Sequence, residues 1–197
     1  MYPARFSKPC RSENLKSEVL EKDCFYHIYN RGNNGETIFI TDGNKSYFLR
    51  LMKKYFENVL SIYSYCLMDN HFHLVVQLKE EEKVVTQKLS NFFNAYAKAF
   101  NKEQNRTGSL FEKHFRRIKL NDEEYLKNLI IYIHLNPKHH LDVDFETFKF
   151  SSYASILSDK LTSLKREEVI ELFDTVENFI FCHKQKAMQL SEKYTFE

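Results

Sequence analysis

The sequence predicts an α+β fold: a ferredoxin-like antiparallel sheet with helices packed on one face, followed by a C-terminal helical extension. Three observations predict it. Apolar periodicity alternates between two and 3.6 residues along residues 24–137. Two apolar runs are separated only by Asp69-Asn70, which reads as a hairpin. Only four glycines and three prolines occur in 197 residues, and nothing is repeated or low in complexity, so the chain is expected to be compact and rich in regular structure.

Taken in order, Cys24 to Arg31 alternates aromatic and polar residues as a strand, and Gly32-Asn33-Asn34-Gly35 breaks it. Lys45 to Phe56 has helical spacing. Leu60 to Met68 and His71 to Leu78 form the hairpin, and Val84 to Asn101 is a helix with Leu89, Phe92, Phe93, Tyr96 and Phe100 on one stripe. Arg116 to Leu120 is a fourth strand. Asn121-Asp122 caps a helix over Leu126 to Pro137, which Pro137 is expected to end near Asn136. Two further helices are expected around Arg166 to Phe173 and Val176 to Tyr194. The organisation read from this is a polar arm over residues 1–22, one folded domain over 23–157 and a helical extension over 158–197.

The net charge is only +2, but it is unevenly spread. Between residues 98 and 119, seven basic side chains (Lys98, Lys102, Arg106, Lys113, Arg116, Arg117, Lys119) face two acidic ones, Glu103 and Glu112, whereas residues 158–197 carry six basic and eight acidic groups. The basic stretch is interleaved with Phe100, Phe111 and Phe115. That combination follows phosphates while offering rings to unstacked bases, although a solvated helix face has the same composition. Arg106, Lys113, Arg116, Arg117 and Lys119, with Arg31, are the candidate DNA contacts. Cys10, Cys24, Cys66 and Cys182 lack CxxC spacing, which argues against a cysteine zinc site. With no signal peptide and no 18-residue apolar run, a cytoplasmic protein with reduced thiols and no membrane partner is expected.

His71-Phe72-His73 puts two imidazoles on one face of a strand, with Cβ atoms roughly 7 Å apart and able to share a metal. Two half-buried strand histidines bonded to backbone would look the same. Sixty residues on, Tyr132 and Asn136 stand four apart, on the flank of the stripe Leu126, Ile130 and Ile133. Tyr96 is the rival nucleophile, but it lies within an apolar stripe and Phe100 occupies the position where a ligand would be needed.

With these residues the chain resembles the HUH single-tyrosine transposases, of the insertion-sequence type and the REP-associated type, where U is a bulky hydrophobic residue. His71-Phe72-His73 matches the motif, and Tyr132-Ile133-His134-Leu135-Asn136-Pro137 resembles the nucleophile helix. Tyr29-Asn30-Arg31-Gly32-Asn33, Arg106 to Glu112, and Ser151-Ser152-Tyr153 extend the likeness over residues 24–155. Lys138-His139-His140 replaces a customary glycine-containing turn, and Phe111 replaces a tryptophan.

The resemblance implies a metal-dependent single-stranded DNA endonuclease and strand transferase. Tyr132 would become a 5′-phosphotyrosine, and His71, His73 and Asn136 would hold a divalent ion, Mg²⁺ or Mn²⁺. Single-stranded or hairpin DNA is the implied partner, with a homodimer as a second one. Glu112, His114 and His134 are alternative ligands or partners of the ligands; His139 and His140 read as a solvated turn after the helix. Two rival readings stand beside this one: a retired DNA- or RNA-hairpin-binding module of the same fold, and a hydrolase that uses water in place of tyrosine.

Overall fold

The computed structural model describes residues 19–194; the polar arm expected over residues 1–22 falls outside the described residues up to residue 18. The elements run β1 (Phe25–Arg31), α1 (Asp42–Phe56), β2 (Leu60–Met68), β3 (His71–Leu78), α2 (Glu82–Glu103), β4 (Arg116–Leu120), α3 (Glu123–Leu141), α4 (Tyr153–Ile156), α5 (Arg166–Leu172) and α6 (Val176–Tyr194). The four strands form one antiparallel sheet ordered β2-β3-β1-β4, as the ferredoxin-like order requires.

Strand alternation divides β3 into two faces. Phe72, Leu74, Val76 and Leu78 are fully buried. Phe72 meets Phe48 of α1 with ring centroids 5.1 Å apart, and Phe93 of α2 at 5.7 Å. The opposite face carries His71 and His73 and is covered by α3, whose Tyr132 ring lies 6.0 Å from His73. Helices on one face therefore describes α1 and α2, and α3 adds a third layer on the other side of the sheet.

Asp122 caps α3 as expected, its side chain accepting from Tyr125 N at 2.7 Å. The helix does not stop at Asn136. It continues through Pro137 to Leu141 and closes on Asp142 in the left-handed region, φ 51°. Proline removes a single N–H and crowds the preceding turn, but burial of Leu126, Leu129, Ile130, Ile133 and Leu135 on the sheet outweighs that local penalty. The basic last turn, Lys138, His139 and His140, suits the negative end of the helix dipole. His139 and His140 are consequently helical residues and not a turn.

The segment after α3, from residue 150 into the extension at Lys165, covers the outer edge of β2. Leu67 N donates to Phe150 O, Ser152 N to Tyr65 O and Lys165 N to Ile62 O, each at 2.9 Å, which occupies an edge that would otherwise be open for pairing. Between α3 and α6 runs a buried polar chain. His134 Nδ1 and His183 Nε2 are 2.9 Å apart, His134 Nε2 lies 2.7 Å from Ser152 Oγ, and that hydroxyl accepts from Tyr65 N at 2.9 Å. His134 is thus a fully buried structural residue facing away from the paired strand histidines. Among the described residues, no helix is long and apolar enough to cross a membrane.

Candidate active site

His71 opens β3 immediately after the Asp69-Asn70 turn, and that turn is clamped from three sides. Gly32 N donates to Asn70 O at 2.8 Å, Ile38 N and Phe39 N donate to Asp69 O at 2.8 and 2.9 Å, and Lys45 Nζ reaches Asp69 Oδ1 at 2.7 Å. Gly32 is required by this packing, since a Cβ there would lie 1.9 Å from Glu36 O.

Sheet register carries the rest of the site. Tyr29 of β1 pairs with His73 and Arg31 with His71, while Arg116 of β4 pairs with Tyr29. These residues share the face that α3 covers, and with Tyr132 and His140 they line an open cleft of about 800 Å³. Tyr132 is 40% exposed, and its ring lies 5.8 Å from His139. Its phenol is pushed above the usual tyrosine range, first by burial of the ring and then by the neighbouring Tyr29 hydroxyl. It therefore enters the neutral pH range protonated.

Both strand histidines have their Nδ1 atoms engaged. His71 Nδ1 lies 2.7 Å from Asn70 Oδ1, a carbonyl that accepts its N–H, and His73 Nδ1 lies 2.9 Å from Nε2 of His27. Nε2 of each ring stands outside these two bonds. Burial holds His73 and His71 below the ordinary histidine range, reinforced at His73 by His27 and at His71 by His140. Neutral imidazoles are the form that ligates a metal.

Asn136 completes the neighbourhood from one helical turn beyond Tyr132. Its side chain is fully buried and its Nδ2 donates to Tyr132 O at 2.9 Å, while Oδ1 has no hydrogen-bond partner. The same amide borders the His71 imidazole closely enough to favour its charged form. Among the described residues, no three histidine, cysteine or carboxylate side chains converge to hold a metal by themselves. The amide beside the neutral His71 imidazole, with His73 next along the same face of β3, does fit the mixed nitrogen and oxygen donor set of a hard divalent ion with open positions.

The candidate DNA contacts separate by face. Arg31 and Arg116 line the cleft; Arg31 pairs with Glu112, which accounts for that carboxylate. Lys113 and His114 are exposed on the preceding loop. Arg106 is held by Glu36 at 2.6 Å and Asn101 at 2.9 Å, bracing its own loop. Arg117 and Lys119 point to the opposite face, where Arg117 lies 3.6 Å from Glu82 and Lys119 2.8 Å from Glu21. Tyr96 is a core residue, 1% exposed, donating to Ile38 O at 2.6 Å. Sequence reasoning passed over His27 and gave His140 no role. The signal for His27 was present in the alternation His27-x-Tyr29-x-Arg31, which puts it on the cleft-facing side of β1.

Residues 21–136 match the family model described as "Transposase IS200 like". The chain belongs to the IS200-like transposase family. Among solved structures, a REP-associated tyrosine transposase bound to a REP hairpin shares the fold at a TM-score of 0.56 and 13% identity, over 74% of this chain and 86% of that one. The tRNA(His) guanylyltransferase of Saccharomyces cerevisiae reaches 0.43 at 10% identity, over 84% of each chain. A bacterial tRNA(His) guanylyltransferase-like protein in complex with GTP reaches 0.42 at 10% identity, over 60% of this chain and 64% of that one. No curated protein matches this chain.

Proposed function

We propose that this IS200-like transposase nicks and rejoins single-stranded DNA at hairpin-bearing sites through a covalent bond to Tyr132. The observation that carries the reading is the convergence of Tyr132 with His71 and His73 on one cleft edged by Arg31 and Arg116. The REP hairpin in the similar structure supports a hairpin as the substrate of this chain too. Residues 23–157 would form the catalytic unit, with residues 158–197 bracing α3 and the sheet edge.

In the cleft, Arg31 and Arg116 would draw in the phosphodiester backbone, and the half-exposed Tyr132 ring would hold its hydroxyl against the scissile phosphorus. Attack forms the Tyr132 Oη–P bond and breaks the bond from phosphorus to the 3′ oxygen. That oxygen takes up a proton and leaves as a 3′-hydroxyl, while the phenol gives one up. Attack by another 3′-hydroxyl reverses the exchange and frees Tyr132, so strand joining needs no external energy. His71, His73 and Asn136 would hold the divalent ion, Mg²⁺ or Mn²⁺, which supplies charge neutralisation at the scissile phosphate when bound. At an ordinary pKa near 10, only about 0.1% of a tyrosine is phenolate at pH 7, and the raised value at Tyr132 makes that assistance more necessary.

The test is incubation with labelled hairpin-bearing single-stranded oligonucleotides and Mn²⁺ or Mg²⁺, followed by denaturing electrophoresis. An adduct abolished by Tyr132→Phe, by His71→Ala or by EDTA is expected. Native-gel retardation without an adduct would make the protein a binding module. Cleavage that survives Tyr132→Phe but not His71→Ala would make it a water-using hydrolase.

A further inference from the structure

We propose that His27 is a positioning residue for the metal centre, holding the His73 imidazole in the tautomer and orientation that turn its Nε2 lone pair toward the cleft. The inference rests on the metal-dependent reading above and adds to it a residue outside every motif.

His27 and His73 are diagonal neighbours across the β1–β3 ladder, because Tyr29 is the direct partner of His73 and Val75 that of His27. Diagonal residues in an antiparallel pair are roughly 7–8 Å apart, a span that two imidazoles close by meeting at their ring nitrogens. They do so at 2.9 Å, with ring planes 25° apart. Tyr29 stacks on both rings, 4.6 Å from His27 and 5.5 Å from His73, and fixes the planes further. His27 is 6% exposed and His73 8%, so water competes poorly for the shared hydrogen bond.

One N–H serves the two facing nitrogens, and its direction decides what His73 presents. If His27 Nε2 donates, His73 carries its hydrogen on Nε2 and shows the cleft a donor that cannot ligate. If His73 Nδ1 donates, Nε2 is bare. Ligation therefore requires His27 to act as an acceptor at Nε2, just as Asn70 Oδ1 accepts from His71 Nδ1. Two unlike acceptors, one beside each ligand in the same sheet, would prepare both lone pairs before any metal arrives.

The discriminating variants are His27→Leu, which removes the acceptor while filling the space, and His27→Gln, whose side-chain carbonyl can replace it. Mn²⁺ affinity, read by electron paramagnetic resonance or calorimetry without DNA, should fall about 10- to 100-fold in His27→Leu and recover most of that loss in His27→Gln. In the wild-type protein carrying ¹⁵N-labelled histidine and saturated with Mg²⁺, ring nitrogen shifts should report His73 protonated at Nδ1. Wild-type Mn²⁺ affinity in a folded His27→Leu protein, or a proton on His73 Nε2 in the Mg²⁺ form, would overturn the inference. If His27→Leu does not fold by circular dichroism, the wild-type spectrum decides. His71→Ala and His73→Ala separate the levels: if both abolish Mn²⁺ binding while His27→Leu does not, the metal centre stands and only the role of His27 falls. If neither matters, the metal-centre reading falls with it.

Discussion

Acidification should loosen the joint between α3 and α6, and His183 is where the magnitude can be worked. Its imidazole is fully buried, packed 4.2 Å from the Phe179 ring and bonded through Nδ1 to Phe179 O at 2.7 Å. Burial pushes its pKa down to about 4, against an ordinary value of 6.5. Because the folded value is depressed, the unfolded chain binds more protons between those limits, and stability must fall as pH drops through that window. Between pH 7 and pH 5 His183 alone should remove roughly 2 kcal/mol, approaching about 3 below pH 4. With a urea slope of about 2 kcal/mol/M, that moves the unfolding midpoint by roughly 1 M between pH 7 and pH 5. The comparison is with His183→Gln, which can still pair with His134 but does not titrate. Urea unfolding at intervals from pH 7 to pH 5 should give a steeper decline in the wild type, the difference reporting His183 itself. Equal declines in the two proteins would refute the reasoning.

Four other outcomes follow from the geometry. Tyr132 and both strand histidines meet within one chain, their rings 6.0 Å apart at His73 and Tyr132, so mixing His71→Ala protein with Tyr132→Phe protein should restore no adduct; recovered activity would mean that the tyrosine is supplied by a partner subunit. Gly32→Ala would force a Cβ to within 1.9 Å of Glu36 O and shift the clamp on the Asp69-Asn70 turn, so a lowered melting temperature together with weaker Mn²⁺ binding is expected by scanning calorimetry and titration. Arg116→Ala should weaken hairpin binding uniformly across sequences and reduce the slope of log affinity against log salt by about 0.7, as loss of one single-strand phosphate contact would. Arg106→Ala should instead show chiefly as a loss of stability, because its guanidinium is already committed to Glu36 and Asn101.

Period and spacing by themselves determined most of the architecture. β2, β3, β4 and α6 have the bounds that alternation and helical spacing predict, and for β2 and β3 the reason is that buried strands bounded by turns leave unambiguous patterns. Strand alternation also sufficed to put His71 and His73 on one face, and helical spacing to put Tyr132 and Asn136 on one flank. What only tertiary structure decided were the features that depend on which elements meet. α3 runs through Pro137 because burial of its apolar stripe against the sheet overrides a local preference, and this carries His140 to the cleft. His134 became part of a buried chain to His183 and Ser152 because α6 and the edge of β2 converge on it. The basic residues divided between Arg31 and Arg116 at the cleft and Arg117 and Lys119 behind the sheet, since β4 joins β1 in a single register and alternation then sends neighbouring side chains to opposite faces. His27 came to His73 only through the β2-β3-β1-β4 order, which sets side by side two strands that lie 46 residues apart at these histidines. A hydrogen bond between ring nitrogens acts over about 3 Å and leaves no periodic trace in the chain.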